Sequence, residues 1–92
     1  MDASAKWKSF FLHWPPDLPR RGVVVTSYNE QVPFESFLTS ESMLLVERRA
    51  PDAVGARKVV LLYESVQAVK VVDPVDAAVF NVAGFRGAQP GA

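Results

Sequence analysis

His13 is the single histidine of a 92-residue chain that has no cysteine. A histidine working as general base needs a nucleophile or an orienting carboxylate within hydrogen-bond reach, and nothing near it in the sequence supplies one. Glu30, Glu35, Glu41 and Glu47 recur without ligand spacing, so a metal would rest on scattered carboxylates. Glycine-rich phosphate loops and nucleophile elbows are absent. These residues point away from an enzyme and toward a chain with no cofactor and no metal.

Residues suited to contact are better represented. Cations come in pairs at Arg20 and Arg21, Arg48 and Arg49, and Arg57 and Lys58. The last two pairs flank APDAVGA, residues 50–56, whose Pro, Asp and Gly fit a hairpin loop. Arg48, Arg49, Arg57 and Lys58 would then form a patch of four charges, a candidate contact for RNA phosphates. Their plainer role is to keep strand ends solvated. Arg20 and Arg21, at the start of the first strand, belong to the opposite end of the sheet. Trp7, Phe10, Phe11 and Trp14 fall at i, i+3, i+4 and i+7, on one helical face. Exposed, that face would be a stacking platform or partner anchor; buried, it packs across the open end of a barrel.

The elements that hold these residues follow from spacing. A helix over Lys6 to Trp14, with Ser4 as N-cap, stops at Pro15, Pro16 and Pro19. GVVVTSY, residues 22–28, is rich in β-branched residues and predicts a first strand. Val32 to Thr39, Met43 to Arg48, Arg57 to Tyr63 and Val66 to Val72 predict four more, the first three of the five forming a meander. Only Glu64 and Ser65 separate the last two, so the chain bends sharply there. Asp73, Pro74, Asp76 and Gly84 suggest a short final helix, capped by Asp73 and stopped by the glycine. One domain over residues 1–84 and a mobile tail over 85–92 are expected.

Composition narrows the classes. Ten basic residues balance ten acidic ones, so no net field steers the chain toward phosphate. Hydrophobic residues make up 49%, enough for one core. No apolar run approaches the roughly 20 residues of a membrane span. The absence of cysteine fits a reducing compartment, and a soluble, cytoplasmic protein is expected.

The order of helix and five short strands resembles the Sm and Hfq-like family of small barrels. FESFLTSESMLLVERR, residues 34–49, looks like that family's bent second strand, turn and third strand, and LLYESVQAVKVVDP, residues 61–74, like its fourth and fifth. The resemblance implies a mainly β fold, a small five-stranded SH3-like barrel with a short N-terminal helix. It also implies a homo-oligomeric ring, the fourth strand of one subunit pairing with the fifth of the next, with RNA as a partner and Tyr63 at the RNA site. Two departures concern that site. Glu64 and Ser65 stand where Hfq-like members carry a Lys-His pair, and Asn29, Glu30, Gln31 replace an Asn-Gly turn.

Edge chemistry points to assembly independently, because unpaired strands as apolar as VVLLY and VQAVKVV aggregate unless covered. Val59, Val60, Leu61, Leu62, Val66, Val69 and Val71 are the candidate interface. Val59, Leu61 and Tyr63 should share one face of the fourth strand. The expected function is a ring subunit, with RNA binding through Arg48, Arg49, Arg57 and Lys58 as a candidate activity. The alternative is a protein-interaction or scaffold module that touches no nucleic acid.

Overall fold

The computed structural model describes residues 2–87. Helix α1 spans Ala3–Leu12, one turn earlier than the spacing predicts, because Asp2 and not Ser4 is the N-cap. The Asp2 carboxylate accepts from the Ala5 amide at 2.8 Å. Trp14 lies beyond the helix, in the turn that the prolines impose, and its indole N–H donates to Leu18 O at 3.0 Å.

Six strands follow: β1 Gly22–Thr26, β2 Gln31–Phe34, β3 Ser36–Thr39, β4 Met43–Glu47, β5 Lys58–Leu62 and β6 Val66–Lys70. They form two three-stranded antiparallel sheets, ordered β2-β1-β6 and β3-β4-β5. This corrects the expected five-stranded SH3-like barrel. The long second strand is broken at Glu35, so its halves belong to different sheets. Closure fails because β5 and β6, though consecutive, do not pair with each other. They are joined by a 3-10 turn, Tyr63–Ser65, the sharp bend expected there.

Local chemistry accounts for the joints. Asn29 takes a left-handed φ of 67° in the first hairpin, a conformation asparagine tolerates, and Thr26 Oγ1 accepts from the Glu30 amide. Pro33 faces Val23 in a pair that exchanges no backbone bonds, since the ladder runs through Gly22, Val24 and Thr26, so its missing N–H costs nothing there. Gly22 is required by close approach: a Cβ would lie 2.5 Å from Lys70 O on β6.

The core lies between the sheets' inner faces. Val24, Val32, Phe34 and Val66 come from one sheet, Phe37, Leu44, Val46 and Leu61 from the other, and Phe11, Trp14 and Leu18 close the open side. Phe11 stacks on Trp14 at 5.6 Å and meets Phe37 edge-on at 5.0 Å. The aromatic helix face is therefore largely core, with Trp7 and Phe10 partly buried against it.

The expected final helix is a 3-10 segment, Ala77–Ala83, capped by Asp76 and ended by Gly84 at φ 96°. Asp73 is not its cap because its carboxylate is held by Arg21, Nε to Oδ2 at 3.1 Å. Of the expected tail, Phe85 packs edge-on against Phe80 and Arg86 donates to Asn81 O. Residues 88–92 lie outside the described residues.

Candidate interaction site

The strand pairing sets Arg48 opposite Arg57 at the base of the loop and Lys58 opposite Glu47. Arg48 N donates to Arg57 O at 2.7 Å across the start of the loop. Asp52 shapes that loop by accepting from the Val54 and Ala56 amides, and these donors, Ala56 first, hold its carboxyl below the usual range. Lys58 pairs with Glu47 at 3.6 Å, and Arg48 Nε donates to Ala50 O. Arg20 and Arg21 are spent elsewhere, as the strand order requires. Arg20 lies 3.7 Å over the Phe37 ring and donates to Phe37 O. Arg21 is engaged by Asp73.

Tyr63 has a structural place. Its ring is fully buried and its hydroxyl donates to Ser40 O at 3.2 Å. Burial pushes the phenol above its ordinary value. Glu64 beside it is exposed. The joint thus offers solvent a carboxylate and no aromatic face.

Comparison with protein-family models, with curated proteins and with solved structures yielded no match.

The candidate interface residues divide by side. Leu61 and Val66 are buried, and Val59, Val69 and Val71 are partly buried against the core. Val60 and Leu62 point outward. The backbone divides as well. Since Arg48 bonds Arg57, the β4–β5 ladder runs through Val59 and Leu61, which leaves the N–H and C=O groups of Lys58, Val60 and Leu62 facing the open edge. On β1 the groups of Val23 and Val25 face β6, so Lys70 and Ala68 are bonded while those of Val69 face outward. Among the described residues, no backbone hydrogen bond from the C-terminal segment reaches this edge.

The outer surface of the β3-β4-β5 sheet was not legible as a site. Register puts Leu38, Leu45 and Val60 in one row and Met43 and Leu62 in the next. Leu38 is 59% exposed and Val60 57%. A row of Ser36, Glu47 and Lys58 borders them, with Ser36 Oγ donating to Glu47 at 3.0 Å. The signal available in the sequence was MLLVE and KVVLL, runs without alternation, which belong to strands covered on both faces. Among the described residues, no helix is long and apolar enough to cross a membrane.

Proposed function

We propose that this chain is an assembly module whose copies join edge to edge, β5 of one subunit against β6 of the next, into a homo-oligomeric ring. The observation that carries this reading is the pair of open edges at β5 and β6. β5 ends one sheet, β6 ends the other, and a three-residue turn joins them. Each strand is five residues long, so the two edges match in reach. Edges that apolar are a liability when open and an adhesive when paired. A head-to-tail contact of this kind makes a ring when its rotation closes.

Assembly without nucleic acid is preferred to RNA binding. Net charge is zero, Lys58 is already paired, the Tyr63 ring is buried and Glu64 is exposed at the joint. The charges weaken attraction for a polyanion, and the buried Tyr63 ring leaves no face for a base to stack on.

Val69→Pro tests the reading cleanly. The Val69 amide faces the open edge, so proline removes a donor to a neighbour while leaving the β1–β6 bonds intact. Light scattering should give a ring mass for the native chain at micromolar concentration and a much lower mass for the variant. A native chain that is monomeric would overturn the proposal. Salt-sensitive RNA binding lost on changing Arg48, Arg49, Arg57 and Lys58 to Ala would favour the nucleic-acid reading instead.

A further inference from the structure

We propose that the outer face of β3-β4-β5 is a second self-docking surface, taking another copy of this chain across a twofold axis that runs along the strands between β4 and β5. The face is apolar at its centre, where Leu45 is flanked by Val60 and where Met43 stands beside Leu62. Helix α1 packs against β3 and the 3-10 turn, on the core side, and leaves this face open. Five apolar side chains cover less than the about 800 Å² per partner of a standard interface, so their polar border has to be buried with them.

That border selects both the partner and the axis. Neighbouring strands place unlike residues side by side: Glu47 beside Lys58, Leu45 beside Val60, Met43 beside Leu62. A twofold axis between β4 and β5 sets each of these over its counterpart in the other copy. Glu47 then meets Lys58 of the partner twice, and Leu45 meets Val60 twice. An axis running along β4 itself would stack Glu47 on Glu47, which like-charge repulsion disfavours. A face with both signs in one row is complementary to itself, and the neutral chain adds no long-range repulsion between copies.

The test is run on the full chain with the edge blocked. Val69→Pro should remain a dimer by light scattering at tens of micromolar, and adding Leu45→Glu, on the central strand away from either edge, should make it monomeric. Circular dichroism confirms that both are folded. In the Val69→Pro background, Glu47→Lys and Lys58→Glu should each weaken the dimer about tenfold or more, because either change creates two like-charge contacts. The two together should restore it. A Val69→Pro chain that is monomeric, or a dimer indifferent to Leu45→Glu, overturns the face and leaves the edge reading standing. If Val69→Pro keeps the full native mass, the edge reading fails, and Leu45→Glu in the native chain decides the face: a halved mass supports it, an unchanged mass overturns it.

Discussion

The two sheets contribute similar aliphatic and aromatic residues to the core but finish their outer faces differently. In β2-β1-β6 the outer rows are Pro33, Val23 and Lys70, then Gln31, Val25 and Ala68. Lys70 Nζ donates to Gln31 Oε1 at 3.3 Å, reaching from β6 over β1 to β2, and Val23 and Val25 are partly buried, as Leu45 is at the centre of the other sheet. A lysine stem can cover apolar surface while its charge stays in water. In β3-β4-β5 the corresponding positions are Leu38, Leu45, Val60, Met43 and Leu62, with a polar row of Ser36, Glu47 and Lys58 along one border. One sheet is finished for solvent, and the other leaves apolar side chains exposed. The difference lies in the outward side chains of the strands, since both sheets bury their inner faces.

The largest effect that could break this comparison comes from neighbours on one strand. Leu44 is fully buried and Leu45 faces out. In the edge-blocked, face-blocked monomer, Leu44→Ala should cost about 2–5 kcal/mol by urea unfolding, the range for a truncated core leucine. Exchanging the glutamate at position 45 for alanine in that background should change stability by no more than about 0.5 kcal/mol, as for a surface site. Equal losses at the two positions would mean that the outer face is supported from within the chain.

A smaller effect is expected where the solvent-finished sheet is tightest. Gly22→Ala places a methyl against a backbone carbonyl of β6, which cannot rotate away as a side chain could. The cost should be about 1–3 kcal/mol, as for overpacking. Because the contact lies inside the β1–β6 pair, assembly at a matched folded fraction should be unchanged. A variant as stable as the native chain would show that the two strands separate freely.

Much of this arrangement was legible beforehand, and the exceptions have physical causes. The existence of an N-terminal helix, the strand segments, the bend at Tyr63 and the loop carrying Arg48 and Arg57 followed from spacing and turn chemistry, whereas the Asp2 cap, the exit of Trp14 from the helix and the two open sheets in place of a closed barrel did not. The break at Glu35 did not, since a polar residue within FESFL also fits an alternating strand, and only the sheet assignment shows that it divides two sheets. The fate of Tyr63 was hidden because a tyrosine at a turn can point either way; the Ser40 carbonyl that receives its hydroxyl is 23 residues distant. Register hid the apolar face. GVVVT is as apolar as KVVLL, and what tells the sheets apart is the residues that register sets beside them, Gln31, Pro33 and Lys70 in one and Leu45 and Met43 in the other.

The smallest expected effect sharpens the comparison at the mouth of the solvent-finished sheet. Arg21 precedes β1 and Asp73 follows β6, so their ion pair ties the ends of adjacent strands and anchors the C-terminal segment. The hydrogen bonds from Arg21, with its charge adding to them, hold the Asp73 carboxyl below its ordinary 3.8. A carboxylate with a depressed folded value stabilises the fold above its unfolded value, and that contribution is lost as pH falls through the folded one. The advantage of the native chain over Asp73→Asn should therefore be constant from neutral pH down to about 5, and shrink below about 4. Arg21 remains charged throughout this window and adds no pH dependence of its own. Some acid sensitivity should survive in Asp73→Asn, because the Asp52 carboxyl is also held low by the Ala56 and Val54 amides. Urea midpoints measured from pH 7 to 3 check this, and profiles of equal separation at every pH would show that the Arg21 pair does not form in solution. The twofold contact on the outer face of β3-β4-β5 is tested by salt: it should strengthen slightly in low salt through Glu47 and Lys58, while its apolar centre keeps most of the affinity at high salt.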